Sequence, residues 1–231
     1  MINLIRLEIK KFKFKGYIRS AFITDLIILA FMFFVMIISK VENTSDFNNY
    51  NNLIAFITTI INSTYTVFAG VLISKLIIGE YKNKTVNVLF SYPVDRKKII
   101  LAKVVLITVF IFISIVFAFL FVFSIVYISD VFTPIISDSL EISMLCDIFL
   151  NIVILAAFSS ILSLIPLYFG FRKKSVSTTI LTSLLVMAIL NSSSNGQSLS
   201  ANNYINLVFA VISIILTYIT IKKIDCRDAA A

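Results

Sequence analysis

Long apolar runs with almost no charge alternate along this chain with short polar and basic stretches. A hydrocarbon layer about 30 Å thick is crossed by roughly 20 helical residues at 1.5 Å rise each. Backbone amides cannot stay unpaired in lipid, so such runs must be helices or closed barrels. Barrel strands alternate apolar and polar positions, and these runs do not. The pattern predicts an all-α membrane protein with six transmembrane helices: Ala21–Ser39, Leu53–Ile78, Ile99–Ile128, Ile142–Phe169, Val176–Leu190 and Tyr204–Ile221. No linker sets off a second domain, so residues 1–231 read as a single transmembrane domain. Ser39-Lys40-Val41-Glu42 follows the first run without a small-residue cleavage site, which makes that run a retained anchor. The Ser/Asn/Gly stretch Asn191–Asn203 has the length of a short helical hairpin dipping back into the membrane.

Composition agrees: 59% of the residues are hydrophobic and 14% charged, well under the charge of a soluble surface. The formal charge of +8 sits at the ends of runs and forms no basic face, so it argues for membrane topology and against nucleic acid. Threading the six spans places every lysine and arginine on one side except Lys40, one base of 20. Glu42, Asp46, Asp130, Asp138 and Glu141 lie opposite. The basic side is the cytoplasm, so both termini are expected inside a bacterial plasma membrane.

Several chemistries are excluded. There is no histidine, which removes H-E-x-x-H zinc sites and Ser-His catalysis. Cys146 and Cys226 have no metal-ligand spacing and fall on opposite faces of the predicted topology. None of the five glycines opens a phosphate-cradling loop. The chain is therefore not an enzyme by itself and needs no cofactor or metal of its own. Asp25 and Asp147 start near opposite faces, and no span centre carries an ion-pairing acid or a helix-breaking Gly/Pro pair.

The informative stretch is Glu80–Lys103, EYKNKTVNVLFSYPVDRKKIILAK. Thr85–Tyr92 spans about two helical turns with Asn83 or Thr85 as N-cap, and Pro93 ends it. Val86, Leu89 and Phe90 would be costly on a loop tip left uncovered. With Glu80, Lys84-Thr85, Leu89-Phe90, Pro93, Arg96 and Ala102-Lys103 in this order, the stretch resembles the loop between spans two and three in permease subunits of type-2 ABC exporters. It departs at Lys84, where that family often has Gly, and at Asp95, where it often has Ser. The resemblance extends to the whole layout. It implies that Thr85–Tyr92 is a cytoplasmic coupling helix seated on a separate ATP-binding subunit, through Glu80, Thr85, Val86, Leu89, Phe90, Pro93 and Arg96. It further implies a second permease, identical or not, with ATP and Mg bound only by the partner subunit. Small Phe- and Ile-rich permeases of this length look most like bacteriocin-immunity and antimicrobial-peptide exporters of Gram-positive bacteria, which implies an amphipathic peptide or lipid-like cargo.

Residues 1–19 read as an amphipathic segment. Ile2, Ile5, Ile9 and Phe12 form one apolar stripe; Leu4, Leu7 and Phe14 form another, with Arg6, Lys10, Lys13 and Lys15 between. One stripe fits a lipid interface, with lysines on anionic headgroups, although the segment could equally be a plain topogenic flank. Asp25, about one turn inside span one, is expected to pair with Lys103. Spans two and five carry hydroxyl-rich bands, in which Thr59, Asn62, Thr66, Thr179 and Thr182 either line a translocation path or pack helices closely. Two other readings share this topology, an ion-driven secondary transporter and a passive membrane immunity protein.

Overall fold

Because lipid leaves their backbone groups no other partners, the long apolar runs form long helices in the computed structural model. It describes residues 8–9, 11, 14–42, 49–82, 96–132, 142–194, 197–198 and 203–228. The elements are α1 (Lys15–Glu42), α2 (Tyr50–Ile73), a π-helical turn Ser74–Ile78, α3 (Gly79–Lys82), α4 (Arg96–Phe132), α5 (Ile142–Leu162), α6 (Ile165–Lys173), α7 (Val176–Leu190), β1 (Ser193–Ser194), β2 (Gln197–Ser198) and α8 (Asn203–Asp228). Among the described residues, five stretches are long and apolar enough to cross a membrane: Lys15–Glu42, Tyr50–Lys82, Lys97–Asp130, Cys146–Lys173 and Tyr204–Lys222. The remaining apolar helix, α7, has 15 residues and spans only about 22 Å.

Two expectations are corrected. Span four is not continuous: Ser163 and Leu164 form a turn between α5 and α6. Pro166 stands at the start of α6 and has no N–H to donate to the Leu162 carbonyl four residues back, so the helix breaks there. At the break, the Ile161 carbonyl accepts from the Leu164 N–H at 3.1 Å and from the Ser213 hydroxyl of α8 at 2.5 Å. The second correction concerns the stretch after α7. In place of a helical hairpin, Ser193–Ser194 and Gln197–Ser198 pair antiparallel. The intervening Asn195-Gly196 is the residue pair most favoured in two-residue hairpin connections.

The chain divides into two compact units. The first comprises Met1–Phe14, Ser63–Phe112 and Ala157–Ala231, and the second Lys15–Asn62 and Ile113–Ala156. In the second unit, α1 buries Ala21, Asp25, Ile28, Met32, Met36 and Ser39, the three- and four-residue spacing of one helical face. Phe22 meets Phe121 with ring centroids 5.7 Å apart, and Tyr50 donates a buried hydrogen bond to Asp130 at 2.8 Å.

In the first unit, α6 and α7 form a tight hairpin. Lys174 turns the chain with a left-handed φ of 47°, and its N–H bonds to the Gly170 carbonyl. Helix α7 then lies so close that a Cβ on Gly170 would collide with Thr179, and one on Gly70 with Ser183. Close approach of this kind through small residues holds helices together where lipid supplies no hydrophobic drive.

Candidate functional site

The residues that flank the loop of residues 83–95 come together in a buried charged cluster. Glu80 closes the long helix of span two, and Lys103 lies two turns into α4. Lys103 Nζ is hydrogen-bonded to Glu80 Oε2. It also donates to the Leu76 carbonyl at 3.0 Å and lies 3.6 Å from Glu8 Oε2. The other Glu80 oxygen accepts from Lys11 Nζ at 2.6 Å. Side-chain exposure is 4% for Lys103, 11% for Glu80 and 9% for Glu8, against 42% for Lys11. One Glu80 carboxylate thus bridges two ammonium groups, one oxygen to each, and the four charges sum to zero.

Balance decides the energetics of such a cluster. Each buried charge costs several kcal/mol to desolvate, roughly offset only while its partners stay in place. Charge-assisted hydrogen bonds at these lengths are also the strong ones. Glu8 touches Lys103 beyond hydrogen-bond range, and burial raises its pKa above the ordinary glutamate value. Lys103 and Lys11 oppose that rise, and the Glu80 charge adds to it. Phe14 fastens the same N-terminal segment to α4 by an edge-on contact with Phe110, centroids 5.1 Å apart, while Ile9 on the other stripe is exposed. Next to Glu80, Tyr81 packs edge-on against Phe171 of α6 at 4.5 Å.

Of the residues expected to carry function, Glu80 and Lys103 are brought together. Thr85, Val86, Leu89, Phe90 and Pro93 lie outside the described residues, and Arg96 begins α4. Asp25 is 1% exposed, and Lys103 forms ion pairs with Glu80 and Glu8. Thr59 donates to the Ala55 carbonyl at 2.7 Å, and Thr182 to those of Thr178 and Thr179 at 2.9 Å. Asn62 and Thr66 are buried, and Thr179 is buried against Gly170. Glu8, Lys11 and the Leu76 carbonyl were not anticipated. One signal was available, because Glu8 is the single acid among Arg6, Lys10, Lys11, Lys13, Lys15 and Arg19.

Residues 4–191 match the family model described as ABC-2 family transporter protein. The chain belongs to that family. It is also 32% identical over 228 residues to a Bacillus subtilis (strain 168) protein called uncharacterized protein YcbO, covering 99% of this chain and 100% of that one. No solved structure matches it. ABC-2 membership makes this chain a multi-pass plasma-membrane permease component of an ABC transporter, not catalytic alone, and it implies an ATP-binding partner. In this ABC-2 chain the Glu at the start of the loop motif and the Ala-Lys at its end, 23 residues apart, are two halves of one buried contact.

Proposed function

We propose that this ABC-2 permease couples ATP hydrolysis in a separate subunit to export of an amphipathic peptide or lipid-like molecule. Both termini and the loop of residues 83–95 face the cytoplasm, and Thr85–Tyr92 is the coupling helix, with Val86, Leu89 and Phe90 in a groove of the ATP-binding subunit. ATP and Mg stay with that subunit. A second permease, identical or not, completes the path, and the basic N-terminal segment rests on anionic lipid.

The observation that carries this reading is the bridging carboxylate of Glu80. A loop that passes force from a moving partner needs stiff ends, and Lys103, Glu80 and Lys11 tie both ends of this loop to the N-terminal segment. The loop is also where the segregated positive charge places the chain in reach of a cytoplasmic ATPase.

Leu89→Asp and Phe90→Asp test the proposal in the native complex purified through a tag on this chain. Loss of the ATP-binding subunit from the complex is expected for each. Association and ATP hydrolysis at wild-type levels would rule out the coupling assignment.

A further inference from the structure

Span two is regular α-helix except at Ser74–Ile78. Before that turn, Leu53, Ile57, Ile61, Tyr65, Ala69 and Leu72 are buried, at the three- and four-residue spacing of a single α-helical face. After it, Glu80 meets Lys103 and Lys11, and Tyr81 meets Phe171. A π-turn holds one residue more than an α-turn. The two sets of contacts coexist because the extra residue is absorbed between them. Return of the turn to α geometry would carry Glu80 and Tyr81 about 100° around the axis and about 1.5 Å along it. Both would leave their partners.

The local chemistry suits a turn held open from outside. The Gly79 N–H bonds to the Ser74 carbonyl five residues back, and a Cβ on Gly79 would stand only 3.3 Å from that same oxygen. The Ser74 hydroxyl donates to the Val71 carbonyl at 2.8 Å. Another helix adds support, where Lys103 Nζ bonds to the Leu76 carbonyl inside the turn and to Glu80 beyond it.

We propose that this π-turn is a register switch between span two and the loop it feeds, with Lys103 as the positioning residue that selects the π state. With Lys103 on Leu76 and Glu80, the end of span two is drawn in. When the loop is displaced those bonds part, the turn relaxes to α, and the end of the helix rotates and advances by one residue. The mechanical role rests on the coupling reading above, whereas the dependence of the turn on Lys103 does not.

The two parts are tested separately with a Tyr81→Cys/Phe171→Cys pair in the full chain, read as cross-link yield. In vesicles without any ATP-binding subunit, Lys103→Met is expected to lower the yield about tenfold. Additional deletion of exposed Lys75 removes the surplus residue and should restore it. A purely structural lysine would not be rescued by a deletion. Unchanged yield in Lys103→Met, or no recovery on deletion, overturns the proposal. Should the deleted chain fail to accumulate, Gly79→Ala decides: crowding the turn should lower the yield, and wild-type yield overturns the proposal. In the native complex, trapping ADP with vanadate after hydrolysis should lower the wild-type yield about tenfold. A yield unchanged by trapping means that the turn is fixed and there is no switch. Absence of an ATP-binding subunit from the complex would instead count against the coupling reading, leaving the vesicle result to judge the turn.

Discussion

At the base of the loop, Lys103 and Glu80 bury full charges by pairing between elements far apart in sequence. On the seam formed by α2, α6 and α7, Thr179 and Ser183 bury hydroxyls whose bonds go to carbonyls one turn back, Ser175 and Ile180. The first arrangement ties distant segments and fails if one member is lost. The second asks nothing of its neighbours except space, which Gly70 and Gly170 supply. A path-lining role for Thr179 has to contend with that close packing. Charges here join elements; hydroxyls let them approach.

The contrast can be broken most forcefully at Lys103. Lys103→Met leaves Glu80 and Glu8 buried without their shared cation, and removal of one partner of a buried pair costs about 3–5 kcal/mol. A thermal unfolding midpoint lowered by many degrees is expected, and a midpoint near that of the wild type would show the cluster to be dispensable. On the seam, Gly170→Ala forces a methyl group into Thr179, an overpacking cost of about 1–3 kcal/mol. Thr179→Ala in the same chain should recover part of the loss, whereas additive losses would mean that the two helices do not touch there.

Ser213→Ala sharpens the comparison further. It removes a hydroxyl that answers a carbonyl of another helix, so its cost should resemble a membrane hydrogen bond, about 0.6 kcal/mol and at most about 1.7. Denaturation in mild detergent, compared with Ser183→Ala, measures the difference. The smallest effect concerns Glu8. Its raised folded pKa means that the folded state binds more protons than the unfolded one between the two values. Stability is then fully present below the ordinary glutamate range and falls as pH rises through the raised value. Proteolytic protection of the N-terminal segment should weaken as pH rises above the ordinary glutamate range, and Glu8→Gln should flatten that slope. Protection that rises with pH would contradict the assignment.

Five of the six predicted spans were legible in the sequence because lipid imposes a rule on length and polarity that an apolar run obeys by itself. Val176–Leu190 was readable to the residue as a helix, but at 15 residues it is shorter than that rule asks. What escaped depended on tertiary partners. The break at Ser163-Leu164 hides inside an apolar run, where Pro166 is the only local sign and Ser213, 52 residues away, completes the geometry. Periodicity marks Lys103 as a charge inside a span but says nothing about which helices are its neighbours. Glu80, already marked by the loop motif, and Glu8, hidden among lysines, reach it through the fold.

The central claim is that the Glu80–Lys103 contact ties the loop ends so that ATP hydrolysis elsewhere can act through them. Its most direct test is ATP hydrolysis by the native complex carrying Glu80→Gln, Lys103→Met, or both. Each single change should lower hydrolysis about tenfold while the ATP-binding subunit stays bound, and the double change should be no worse than the more severe single, as for residues that act as one unit. Wild-type hydrolysis in either single variant, or losses that simply multiply in the double, would contradict it.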